Sequence, residues 1–217
     1  MRQFIGPAVP RRWRALRLSA RLAPFWLLSF ALAANFAAAT EPPSAKPDKP
    51  ASIRLQEVAG RWSEPLSERG AKAIVFVFVS IECPISNSYA PKLRRLSEAF
   101  ASKGVVLRLV YPNPDESKAK VKKHLKEYEL PFTAYLDPRH ELTRAADVRV
   151  TPEAAVYVPG KGWVYHGRID NRYIELGKTR PAATQEDLQE ALAAVLAGTP
   201  LKVSSTRAIG CSIPALP

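Results

Sequence analysis

Residues 73–79 read Ala-Ile-Val-Phe-Val-Phe-Val, seven apolar positions with no polar alternation. Such a run suits a central strand covered on both faces and argues against a strand with one wetted side. Residues 105–111, "VVLRLVY", are a second run of that kind. Between them Tyr89, Leu93, Leu96 and Phe100 recur at helical spacing, which predicts a helix over 86–102 that stops by Gly104. A strand, a helix and a strand in that order make a right-handed βαβ unit with parallel strands.

The remaining elements extend this unit. Asn113, Pro114 and Glu116 have the spacing of a helix start, and Val121, Leu125 and Tyr128 mark its buried stripe before Pro131. A short third strand is expected at 132–137 and a helical turn near 139–146. Residues 154–158 and 163–169 flank Pro159-Gly160-Lys161-Gly162 and read as a hairpin. Thr184 and Asp187 form a capping pattern for a last helix, whose stripe is Leu188, Ala191, Leu192, Val195 and Leu196 and whose stop is Gly198. The expected class is α/β, a mixed central sheet of parallel strands plus a C-terminal antiparallel hairpin, flanked by helices, with no internal repeat.

Charge enters once the N-terminus is set aside. Residues 1–39 carry six arginines and no acid, then "LAPFWLLSFALAANFAAA", which is the layout of a secretory signal peptide. A retained membrane anchor is the alternative, since the apolar stretch approaches bilayer length. Of 32 basic and 20 acidic residues, 26 basic ones remain after that segment, a net +6 that is too mild for a nucleic-acid footprint. Lys118, Lys120, Lys122, Lys123 and Lys126 read as a solvated helix face. Residues 40–52, with four prolines, read as a disordered linker. The expected organisation is a leader (1–39), a linker (40–52), one domain (53–198) and a tail (199–217). Export is expected, to the periplasm or outside the cell.

The chain has two cysteines. Cys83 stands where the first strand ends and a helix begins, followed by Pro84. There, unpaired backbone N–H groups and the positive end of the helix dipole would favour a thiolate. The neighbouring Glu82 opposes this, so a modestly activated thiol is expected; an inert buried cysteine is the alternative.

The stretch "ECPISNSYAPKLRRLSEAF" resembles the active-site helix of thioredoxin-like proteins, with Cys83 as the first active-site cysteine and Pro91 as the helix-kinking proline. Downstream, "VRVTPEAAVYVPGKGWVYHGRID" resembles their cis-proline loop and following hairpin, and "LPFTAYLDPRHELTRAADVRVTPE" is similar to redoxin-type and TlpA-like exported members. The likeness spans roughly residues 55–198. It implies a thioredoxin-like fold, a cis peptide at Pro152, and substrate contacts from Pro84, Thr151 and Pro152.

The departures bear on mechanism. The second active-site cysteine is replaced by Ser86, which either hydrogen-bonds the thiolate or caps the helix. Glu82 replaces a tryptophan, and Val77 replaces a buried acid. Cys211 in "STRAIGCSIPALP" is within extended reach of Cys83. It is a candidate resolving thiol, with a structural disulfide or a free thiol for intermolecular pairing left open. The expected activity is thiol–disulfide exchange with a protein or small-molecule disulfide or a peroxide, an unknown thiol serving as electron donor. The related peroxiredoxins carry P-x-x-x-[ST]-x-x-C. Here Ser80 keeps the hydroxyl position but Phe76 takes that of the proline, so a thiol peroxidase is the alternative. A binding or metallochaperone module is a third reading, disfavoured because His124, His140 and His166 lack ligand spacing. No cofactor or metal is expected.

Overall fold

The computed structural model describes residues 52–216. The leader over 1–39, and the 40–52 segment except Ser52, lie outside them. In chain order the elements are β1 (Leu55–Glu57), β2 (Trp62–Ser63), β3 (Ala73–Phe78), α1 (Pro84–Ser88), α2 (Ala90–Ala101), β4 (Val105–Tyr111), α3 (Lys118–Glu127) and β5 (Thr133–Leu136). There follow α4 (Glu141–Ala145), β6 (Val150–Thr151), β7 (Glu153–Val158), β8 (Gly162–Gly167), β9 (Tyr173–Glu175), β10 (Lys178–Thr179), α5 (Asp187–Ala197) and β11 (Cys211–Ser212).

Seven strands form one sheet in the order β2-β1-β5-β4-β3-β7-β8. β3 pairs in parallel with β4, and β4 with β5, while β7 pairs antiparallel with β3 and β8. Every residue of β3 is buried, because alternate side chains enter different cores. Val75 and Val77 face Leu93, Leu96, Phe100, Val121, Leu188 and Leu192. Ile74, Phe76 and Phe78 face Val110, Tyr135 and Leu142. Each large apolar side chain so buried contributes roughly 1.5–3 kcal/mol. Arg108 enters the middle of apolar β4 because its guanidinium bonds the Pro65 carbonyl and the Glu68 carboxylate.

Three local expectations need correction. The predicted helix over 86–102 is two helices, starting two residues earlier and interrupted at Tyr89. Pro91 has no N–H to donate to the carbonyl of Asn87, so the ladder breaks there. The helix after β4 is capped by Ser117, whose hydroxyl accepts from Lys120 N, and not by Asn113. Asn113 instead closes a local turn through Asp115 N, which frees Glu116 to point inward. Thr184 does not cap α5; Glu186 holds that position without a side-chain bond. Thr184 N and Gln185 N donate instead to Asn171 Oδ1, and the Thr184 hydroxyl accepts from Asn171 Nδ2. The lysines of α3 are mostly exposed, as a solvated face should be.

The fold places one end of the molecule for chemistry. The turn after β3, the loop after β4 and the cis-proline loop before β7 converge beyond the carboxyl ends of the parallel strands. Strands β1 and β2 extend the expected sheet beyond β5, while β9 and β10 form a separate two-stranded sheet whose Tyr173 hydroxyl lies 2.7 Å from Ser88 Oγ of α1.

Candidate active site

Cys83 is the N-cap residue of α1, with φ −85° and ψ 108°, and Pro84 follows in the first turn, where its missing N–H costs nothing. The turn leading to it is held from below. Cys83 N donates to Ser80 O at 3.2 Å. Glu116 Oε1 accepts from Ser80 Oγ and from Ile81 N, each at 2.7 Å. Asn87 Nδ2 donates to Ile81 O at 3.0 Å, and Asn87 Oδ1 is 2.8 Å from His124 Nε2. His124 Nδ1 in turn lies 2.9 Å from the hydroxyl of Tyr111. Burial holds His124 below its usual imidazole range, so it bridges as a neutral ring.

Thr151 and Pro152 are joined by a cis peptide bond, as the resemblance implies. Their loop lies directly over the cysteine, and the Cys83 thiol donates to Thr151 O at 3.0 Å. The same segment, as β6, pairs antiparallel with β11 in the register Cys211↔Thr151 and Ser212↔Val150. This brings Cys211 Sγ to 2.7 Å from Cys83 Sγ, with Cys211 as donor. Both cysteines are thiols here.

The two sulfurs are not equivalent. Burial alone would push the Cys83 thiol up, but hydrogen bonds from Cys211 and Ser86 outweigh it and hold Cys83 below the usual cysteine range. Burial and the bond to Cys83 push Cys211 up to about 12. The pair therefore ionises at Cys83 first, with Cys211 keeping its proton as the donor. Ser86 is buried, and its hydroxyl accepts from Ser80 N at 3.5 Å while contributing to the stabilisation of Cys83. It lies in the first turn of α1 but does not cap it. Pro84 is exposed beside the sulfur.

The cavity next to Cys83, about 310 Å³, is lined by Ser80, Glu82, Pro112, Asn113, Thr151 and the tail segment 211–214. Of the histidines, His124 and His140 are buried packing groups and His166 lies beside Glu153. Among the described residues no three His, Cys, Asp or Glu side chains gather as a metal site would require. No helix among them is long and apolar enough to cross a membrane.

Residues 62–159 match the Redoxin family model. Over those residues the chain is similar to redoxins. Two solved structures resemble it over most of their length: an uncharacterized conserved protein from Geobacillus kaustophilus and a hypothetical protein from Sinorhizobium meliloti. The first is 27% identical, covers 76% of this chain and 90% of its own, and has a TM-score of 0.67. The second is 25% identical, covers 75% and 90%, and has a TM-score of 0.65. A putative thiol:disulfide interchange protein from Chlorobium tepidum, 18% identical over 66% of this chain and 92% of its own, shares the fold with a TM-score of 0.52. No curated protein matches the chain in sequence. The matched segment lies within a thioredoxin-like fold.

The structure adds functional candidates to those read from the sequence. Glu116 looked like a helix-start residue but braces the cysteine turn, and Asn87 with His124 braces it from the helix side. Gly210 lies against the Thr151–Pro152 backbone, and its place next to Cys211 is the sequence signal for it.

Proposed function

We propose that the protein is an exported thiol–disulfide oxidoreductase in which Cys83 is the nucleophile and Cys211 the resolving thiol. The observation that carries this reading is the β6–β11 register, which sets Cys211 Sγ 2.7 Å from Cys83 Sγ. The Cys83 thiolate attacks a disulfide sulfur, a new S–S bond forms, and the electron pair leaves on the other substrate sulfur. Cys211, losing its proton as the second bond forms, then attacks Cys83 Sγ and expels the substrate as a thiol. An external thiol donor resets the Cys83–Cys211 disulfide. Pro84, Thr151 and Pro152 line the approach, and Ser86 favours the thiolate. Export rests on the arginine-rich, apolar N-terminal segment.

Exchange is preferred to peroxide reduction because Ser80, at the hydroxyl position of the peroxiredoxin motif, donates to Glu116 at 2.7 Å, and Phe76 fills the proline position within the core.

The test is reaction of the reduced full chain with dithiobis(nitrobenzoic acid), followed by mass spectrometry. Wild type should release two thionitrobenzoates and retain no adduct. Cys211→Ser should release one and retain an adduct at Cys83, and Cys83→Ser should lose the fast phase. Fast release from Cys83→Ser, or two retained adducts on wild type, would refute the assignment.

A further inference from the structure

The tail is fixed to the domain along its length. His166 N donates to Ser204 O and Thr206 N to His166 O, both at 3.1 Å. Thr206 Oγ1 accepts from Arg168 N at 3.0 Å and lies 2.8 Å from the Tyr165 hydroxyl. The chain then crosses the cis-proline loop, where Cys211 pairs with Thr151 and Ile213 N reaches Arg149 O at 3.4 Å. Ile209 packs against one core cluster and Ile213 against the other. Between them, Gly210 lies on the Thr151–Pro152 peptide itself. A Cβ there would stand 2.2 Å from Thr151 O and 2.6 Å from its carbonyl carbon, a distance no side chain tolerates against backbone. In this register the residue before the cysteine must be glycine.

With the tail seated, Cys83 is 1% exposed. The strand edge at Thr151 and the space above the sulfur are both filled, so a macromolecular disulfide must displace the tail before it is attacked. Resting on the exchange reading above, we propose that the tail is a tethered stand-in for the substrate. The substrate is an extended polypeptide segment with glycine immediately before its disulfide-bonded cysteine and apolar residues two before and two after it. It takes the place of Ile209–Ile213 along β6, by the same backbone pairing. The Cys83 thiolate forms the bond to the segment's cysteine sulfur, and the electron pair departs on the sulfur that had been its partner. The returning tail then carries Cys211 to Cys83 Sγ, and the segment leaves as a thiol. The strand that resolves the intermediate also evicts the product.

The test uses the full chain with Cys211→Ser, so that mixed disulfides persist, and two heptapeptides activated as thionitrobenzoate disulfides. One is Ala-Ile-Gly-Cys-Ser-Ile-Pro; in the other alanine replaces glycine. Transfer of the glycine peptide to Cys83 should be faster by about tenfold or more, the scale of a backbone clash. In parallel, Gly210→Ala added to Cys211→Ser should speed alkylation of Cys83 by iodoacetamide by about tenfold, because the tail no longer seats. Equal peptide rates would overturn the substrate class, and unchanged alkylation would overturn the occupancy. Dithiobis(nitrobenzoic acid) needs no strand pairing, so its reaction with Cys83 in the Gly210→Ala, Cys211→Ser variant, where the tail no longer covers the sulfur, separates failure of this proposal from failure of the exchange chemistry.

Discussion

Replacing Glu116 by alanine should loosen the turn that carries Cys83. Glu116 is 6% exposed and supplies one oxygen to two donors, Ser80 Oγ and Ile81 N, each at 2.7 Å. Alanine orphans both. A stranded donor costs about 1–3 kcal/mol, and because Ser80 and Ile81 are half-buried, water recovers part of that, leaving about 2–3 kcal/mol in total. For a domain of this size that is about 4–12 °C in Tm. Glu116→Gln keeps an acceptor oxygen and should lose much less. The pH dependence separates the two further. Burial raises the Glu116 carboxyl above its ordinary 4.5, although the bonds from Ser80 and Ile81 oppose the rise. A carboxyl raised on folding contributes stability that is full below 4.5 and is lost as pH climbs through its folded value. Glutamine does not titrate, so its stability relative to wild type should improve as pH rises across that range. Urea unfolding at several pH values, with unchanged m, measures this. The bracing argument fails if the alanine variant is as stable as wild type, or if the glutamine variant is as unstable as the alanine one.

Two further expectations follow from single residues. Asp137 is fully buried and accepts from Glu141 N, Thr143 N and Thr143 Oγ1 at 2.7–2.8 Å, so Asp137→Ala should cost about 3–5 kcal/mol in urea unfolding. Gly167 has φ +143°, and a Cβ on it would stand 2.3 Å from both Thr206 O and Thr206 Oγ1. Gly167→Ala should therefore unseat the tail from β8 and raise the alkylation rate of Cys83, and an unchanged rate would show the strap is not needed for occlusion.

The sheet was legible because its strands declare themselves locally. The apolar run of β3 admits no one-sided placement, and Leu93, Leu96 and Phe100 recur at a period that only a helix satisfies. The cysteine turn was legible for the same reason, since Cys83-Pro84 follows the strand directly. What governs the site beyond that turn is carried by pairings over long sequence separations. Glu116 has the spacing of a capping residue, and nothing near it in sequence tells that its donors lie 35 and 36 residues away. Strand β11 is two residues long, too short for any alternation, and exists because Thr151 offers it an edge. Gly210 likewise reads as loop punctuation until the backbone it lies on is known.

The separation of the two cysteines along the chain has a thermodynamic consequence. Cys83 and Cys211 are 128 residues apart, the first just after β3 and the second near the end of the described residues. A bond between them closes every element from α1 to β11 into one ring, leaving β1–β3 outside it, and removes about 5 kcal/mol of loop entropy from the unfolded chain. Such a staple is comparable to the full stability of many domains. Each turnover would thus pass the protein between a ring that resists unfolding and an open chain that does so less, and its resistance to proteolysis would follow its oxidation state.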